Sequence, residues 1–507
     1  MSMKKMLAVV GAALCVAVGA PALAANPFSD VPRNHWAYDA VASLAASGVL
    51  SGYPDGTFKG GQAMTRYEIA STIARALANK DYATQKDMDT LKALVVEFQP
   101  ELENLGVTVD GFDARLTSLE KGVGGWKIWG LMQFDNVTNT TDSSRNTTYF
   151  DEAQIWLSKR VSDKITFTTK LEENDDGNLG FALYFAEVQD IFAGFNLTVG
   201  SWEYDWEDED GLYADNDSIM GDNTVMGFKL DRLWGNWTFS LFRGEDHDTD
   251  GMSALNEAAT GELGYVGDSR YDGKDKVFLT GARLKYNFNE KTFLSLNALF
   301  QEGEYASYWA AAGFKFAQDS ALKGVYYWQK INDDRKDFLD EIHSHIYGRA
   351  FASDDPRAFR VMLDIGQDDL KFTSLWLEYA KYDEGFHVYH NDAYNFCGDM
   401  MEIFEPTGDG GIAFADVELW FVYAKQQWNE KWNTFERYLH VKGDNMANMS
   451  GVGYLGGDWK ITNWTVGVGY QYSPNLYFEL AYNDVKSESN LAEYPDRLIR
   501  LRTVLEF

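Results

Sequence analysis

The residues best suited to chemistry in this 507-residue chain are two acidic clusters. Between Glu207 and Asn223 stand Glu207, Asp208, Glu209, Asp210, Asp215, Asp217 and Asp222, with no Lys or Arg among them. Carboxylates without counter-charges attract cations, and a solvated acidic rim is the plainer alternative, because charge runs usually lie on a surface. Further on, Asp246, Asp248, Asp250, Gly251 and Glu257 fit D-x-D-x-D-G-x5-E, the spacing of a calcium loop with three carboxylates, a glycine turn and a Glu able to bind through both oxygens. No helix pattern leads into Asp246, and Ser253 replaces the usual apolar residue, so calcium is an optional structural ion and no motif requires a cofactor. His343 and His345 lie near Glu341, and His387 and His390 near Asp383, without the strand or helix context that fixes metal geometry. A hydrolase would need a Ser, a His and an acid to converge in space, which no local motif announces.

The elements that must carry these clusters show a period of two from Trp126 to Phe507. Phe278, Thr280, Ala282, Leu284, Tyr286 and Phe288 alternate with Arg283, Lys285 and Asn287, and Trp464, Val466, Val468, Tyr470 and Tyr472 alternate with Thr465, Gly467, Gly469 and Gln471. Strands of about ten residues, apolar on one side, polar on the other and aromatic near their ends, predict an all-β transmembrane antiparallel barrel with a wet interior. Short turns at Ser162-Asp163, Ala193-Gly194, Gly235-Asn236, Asn289-Glu290, Asp319-Ser320, Asp368-Asp369, Asn429-Glu430 and Ser473 to Asn475 join nine hairpins, which gives 18 strands, with 16 as the alternative. On that count the acidic run from Glu207 is the third outer loop. Folded into the lumen, it would form a constriction facing Arg283, Lys285, Arg500 and Arg502. The last strand repeats the alternation, with Ile499, Leu501, Thr503, Leu505 and Phe507 on one face.

The first residues read as an export signal: Lys4 and Lys5, an uncharged apolar run of 15 residues from Met6 to Ala20, then Ala22-Leu23-Ala24 as a cleavage site. Cys15 sits inside that run behind Leu14, which does not fit a lipoprotein cysteine. Without residues 1–24 the chain keeps 43 basic against 77 acidic residues, a formal charge of −34. A phosphate backbone rewards a basic surface, so nucleic acid is excluded as a partner. Cys397 is then the one cysteine left, so no intrachain disulfide forms.

Two more regions precede the barrel. Residues 25–80 contain Phe28-Ser29-Asp30-Val31, His35-Trp36-Ala37, Gly52-Tyr53-Pro54-Asp55-Gly56-Thr57-Phe58 and Thr65-Arg66-Tyr67-Glu68, the last with capping-box spacing at the start of a helix. Residues 81–122 hold Met88, Leu91, Val95, Phe98, Leu102, Leu105, Val109, Phe112, Leu116 and Leu119 at unbroken 3,4 spacing, a coiled-coil seam that Pro100 kinks at an outward position.

The 25–80 unit resembles a single S-layer homology domain, a small α-helical family whose members bind wall polymers. The resemblance implies that Asp30, Trp36, Gly52, Arg66 and Glu68 form a peptidoglycan-binding site, although Tyr67 stands where the family most often has Ala. Such domains usually work in threes. One copy followed by a heptad seam therefore implies a homotrimer on a trimeric coiled-coil stalk. The whole order, with 1–24 as signal and 123–507 as barrel, resembles the porins that tether an outer membrane to the cell wall, and the aromatic last residue resembles the signal for outer-membrane insertion. The expectation is an outer-membrane porin set in lipid, not an enzyme, with its N-terminal domain in the periplasm. A tether with a plugged barrel and an outer-membrane hydrolase are the competing readings.

Overall fold

The computed structural model describes residues 125–173, 178–246, 277–347, 355–389, 393–396, 403, 405–406, 411–413, 415–446, 457–489 and 493–507. The export segment, the S-layer homology unit, the heptad seam, Cys397 and the calcium-loop residues Asp248, Asp250 and Glu257 lie outside them. Trp126–Phe507 forms one compact unit.

That unit is a closed barrel of 18 antiparallel strands. The first strand, Trp126–Asn139, pairs with the last, Glu493–Glu506, from Leu131 opposite Glu506 to Asn139 opposite Leu498. Closure leaves no row of unpaired amides at an edge, which is what hydrocarbon demands of any spanning sheet. Each of the eight expected turns falls between two strands, as at Ser162/Ile165, Trp234/Trp237 and Ser473/Leu476, so the 18-strand count holds over 16. No helix among the described residues is long and apolar enough to cross a membrane; the strands make the crossing.

Alternation decides which side chain faces where. Phe228, Leu241, Leu296, Val466, Leu480 and Leu501 are exposed on the outer wall, while their neighbours in sequence turn inward. Aromatics gather near both strand ends. Trp234, Phe288, Trp432 and Tyr472 stand by the short turns, and Phe300, Trp328, Trp420 and Trp464 toward the other rim.

The interior departs from the wet lumen that alternation predicts. Over a broad sector the inward positions are apolar, among them Phe242, Leu279, Trp309, Tyr327, Leu419 and Val441, all at most 1% exposed. Two long connections fold inward and cover this sector, one between Tyr204 and Asn223 and one between Tyr382 and Asp416. The remaining sector, near the closing seam, keeps polar inward residues such as Gln154, Lys170, Glu172, Glu479 and Arg502.

Candidate functional site

The third outer loop begins where Tyr204 ends its strand. Asp205 caps a short helix, Trp206–Asp210, by accepting from the amides of Glu207 at 2.9 Å and Asp208 at 3.0 Å. Gly211, at φ 62°, closes that helix in the left-handed region, where the absence of a Cβ removes the strain. The chain then drives Leu212 and Ile219, both 0% exposed, into the core. Burial of two such side chains contributes about 1.5–3 kcal/mol each. The second infolded segment meets the loop edge to edge: Asp217 N donates to Ala393 O at 2.8 Å, and Tyr389 N donates to Ile219 O at 2.9 Å.

Wall cations hold the loop. Glu207, 0% exposed, accepts from Tyr327 Oη, from Arg360 Nη1 at 3.3 Å and from its own loop's Ile219 N at 2.7 Å. Arg360 also donates through Nε to Glu378 at 2.7 Å and through Nη2 to Leu212 O at 3.0 Å. Glu378 in turn accepts from Tyr394 Oη at 2.7 Å and Trp376 Nε1 at 3.1 Å. A second clamp joins Arg283 to Glu209 and Asp210, with Lys285 reaching Asp210 at 2.7 Å. A third joins Arg437 to Asp215 at 2.7 Å, with the guanidinium over the Phe396 and Phe421 rings.

The expected constriction residues therefore have different fates. Glu207, Asp210 and Asp215 are spent on the wall. Asp208 remains exposed, and Glu209, though exposed, is held by Arg283 of the wall. Asp217 accepts from Ser218 N at 2.7 Å inside the loop. Asp222, at φ 66°, lies at the loop's end, where burial and the neighbouring Glu203 raise its pKa. Burial likewise pushes Asp205 up to about 6, against the opposing pull of its hydrogen bonds from Tyr213 and the helix amides.

The basic residues expected across a gap are not across one. Arg283 and Lys285 touch the loop itself, because the loop lies flat on their strand. Arg500 pairs with Glu479 at 2.7 Å, and Arg502 forks onto Asp135 at 2.8 and 2.6 Å while its Nη2 also reaches Asp151 at 2.9 Å, all within the opposite wall. Asp246 ends the strand Trp237–Asp246 on the buried inner face. His387, treated in sequence as a loop histidine, is buried against Tyr305 at 4.4 Å between ring centroids. Burial, then Arg335, pushes its pKa down to about 3.

Sequence reading missed Tyr327, Arg360, Glu378 and Arg437. A usable signal existed: each ionisable member of this group sits on the inward parity between apolar inward neighbours, as Arg360 does between Ala358 and Met362. An arginine so placed has no water and needs a partner.

Opposite these clamps the lumen keeps a polar crescent. Gln154 Nε2 donates to Glu172 at 2.8 Å and to Glu152 at 2.9 Å, and Lys170 pairs with Glu172 at 2.8 Å beneath the Trp156 ring. Trp156 stacks on Trp129 with centroids 5.9 Å apart. One side chain of the infolded segment crosses to this side: Phe396 packs with Val137, Ala481 and Leu498 and lies 4.0 Å from the Arg500 guanidinium.

The family model described as S-layer homology domain matches residues 27–70, a span that contains Asp30, Trp36, Gly52, Arg66 and Glu68. Among curated proteins the chain is similar to an uncharacterized protein of Nostoc, 32% identical over 161 residues, which are 29% of this chain and 28% of that one. It is similar to the outer membrane protein SlpA of Thermus thermophilus, 41% identical over 99 residues, 17% of this chain and 11% of that protein. It is also similar to the outer membrane protein alpha of Thermotoga maritima, 49% identical over 59 residues, 12% of this chain and 14% of that one. The chain thus spans under a third of the length of each. Among solved structures, OpdO of Pseudomonas aeruginosa has a TM-score of 0.49 at 13% identity, over 75% of this chain and 96% of that one, a likeness too loose to carry a functional argument.

Proposed function

We propose that this chain, an outer-membrane β-barrel protein carrying an S-layer homology domain, is a porin that passes small hydrophilic solutes and ions along one side of its lumen and ties the outer membrane to the cell wall. The observation that carries the conduit is the polar crescent, whose paired charges from Asp135 to Arg502 line the part of a closed barrel that the described residues of the infolded loops leave uncovered. Asp208 stands exposed on the infolded loop, and exposed carboxylates in a pore favour cations. The passage is a conduit and not a catalytic pocket on this reading. In planar bilayers under a salt gradient the protein is expected to show discrete conductance steps and a reversal potential of cationic sign; an anionic sign rules out the carboxylates as the selecting feature.

A second reading has its own support. Phe396 bridges from the infolded segment to the far wall, which is the geometry of a plug that seals the barrel. Conductance indistinguishable from bare lipid for the wild type, appearing on Phe396→Ala, would decide for the plug.

The tether rests on the N-terminal domain, where Asp30, Trp36, Gly52, Arg66 and Glu68 would hold peptidoglycan or an associated wall polymer. A guanidinium fork such as that of Arg66 suits carboxylate and hydroxyl groups on such a polymer. Full-length protein in detergent is expected to co-sediment with purified peptidoglycan, and Arg66→Ala to lose at least tenfold in retention. Equal retention of both forms removes the residue from the site. The heptad seam and the single domain copy support a homotrimer, which light scattering of the purified protein tests.

A further inference from the structure

Among the described residues, the outer wall carries one carboxylate at mid-height. On the strand Trp432–Met446 the outward series runs Trp432, Thr434, Glu436, Tyr438, His440. Trp432 marks the ring near the short turns, where it lies 4.5 Å from Tyr470 between ring centroids. Trp420 stands directly across from His440 and marks the other ring, so Glu436 lies halfway between the two. Other outward charges keep to the rims: Asp484 is level with Trp464, and Glu418 lies two residues beyond Trp420. A carboxylate costs most at the midplane of a bilayer, and this one heads a polar chain. Trp428 Nε1 donates to Thr434 Oγ1 at 2.8 Å, Thr434 donates to Gln426 Oε1 at 2.6 Å, and Gln426 Nε2 donates to Glu436 at 2.9 Å. Lipid tails offer such a chain neither donors nor acceptors. The flanking outward residues Ala424 and Val466, which pair with Glu436 on either side, are small enough for another wall to approach.

We propose that the patch of Gln426, Thr434 and Glu436 is the contact between neighbouring copies of this chain in the membrane, an inference that rests on the reading of the heptad seam as a stalk joining copies. The length of chain before the barrel selects the second copy as occupant. The seam ends at Leu119, seven residues before Trp126, a reach of about 25 Å at full extension. The strand bearing Glu436 is four strands from the first strand through the closing seam, about 19 Å along the wall at 4.8 Å per strand. That reach lets copies joined at the stalk bring this side of the barrel together. In a closed ring each copy's patch meets a different surface of the next, so that a neighbour's polar groups replace lipid around Glu436.

The test uses the full-length protein in intact outer membranes, with p-benzoylphenylalanine introduced by amber suppression at Ala424, at Val466, at Phe228 on the diametrically opposite strand Asn223–Trp234, and at Phe98 in the seam. Irradiation is expected to give adducts at multiples of the chain mass from positions 424 and 466, containing peptides of this chain alone, and none from 228. Adducts at 98 without any at 424 or 466 overturn the interface while leaving the stalk standing. Absence at all of 98, 424 and 466 overturns the stalk reading with it. An adduct containing a different protein, or equal yield at 228, also overturns the interface.

Discussion

Arg360 shows how a single side chain organises the lumen. Its guanidinium joins two carboxylates, Glu207 and Glu378, that are 171 residues apart in the chain and wholly removed from water. Removing one partner from a buried ionic group costs about 3–5 kcal/mol, since the remaining charges stay buried without compensation. Arg360→Ala should therefore lower the unfolding free energy of the refolded barrel by that amount, seen as an earlier denaturant midpoint, and raise single-channel conductance as the loop loosens. Arg360→Met with Glu207→Gln and Glu378→Gln, which removes the three buried charges together, should cost less. Asp205 supplies a pH signature. Its folded pKa of about 6 lies above the ordinary carboxyl value of 3.8, so the native state holds a proton that the unfolded chain releases. Stability from this group is full below pH 4 and falls as pH rises toward 6, by about 3 kcal/mol at 1.36 kcal/mol per unit. Asp205→Asn keeps an oxygen for the helix amides and should flatten the melting temperature between pH 4 and 6. An unchanged slope would exclude Asp205 as its source. These residues were hard to read because a lumen-facing Arg on a strand looks the same in sequence whether water or a folded loop will cover it.

At the scale of elements, the strands were legible and the loops only in part. The alternation through Phe278 to Phe288 and Trp464 to Tyr472 predicts the outward face directly, since one face had to suit lipid. The turns were legible from their Gly, Asn, Asp and Ser residues. The infolding of the acidic loop followed from its place in the strand order, but its attachment did not, because it depends on contacts more than 70 residues distant, such as Arg283 to Asp210. The segment from Phe386 to Phe396 reads in sequence only as a loop carrying His387 and His390, although its run of Phe386, Val388, Tyr389 and Tyr394 is too apolar for a solvated rim. At this scale the narrowing belongs to Phe396. Phe396→Ala should raise conductance several-fold and also lower stability by about 3–5 kcal/mol, since the ring is buried in its cluster and lies against the Arg437 and Arg500 guanidinium groups. Unchanged conductance would show that Phe396 does not narrow the passage.

For the whole molecule, the barrel is sealed by two hydrogen bonds between Gly130 and Phe507, at 2.8 and 3.1 Å, and by the ladder that follows them. Gly130 lacks a side chain where one would collide: a Cβ there would come within 2.4 Å of the Phe507 ring and 2.6 Å of Gln154 O. Gly130→Val should therefore leave strand content intact while reducing the fraction that migrates as compact barrel on unheated gels. This ladder joins residues about 370 positions apart, and such remote pairings form late because the intervening loop must first lose its freedom. During refolding followed by pulsed deuterium labelling, the amides of residues 131–139 and 498–506 should thus acquire protection together and last, so that until then the nascent protein carries two bare edges able to capture each other's counterparts on a neighbouring molecule.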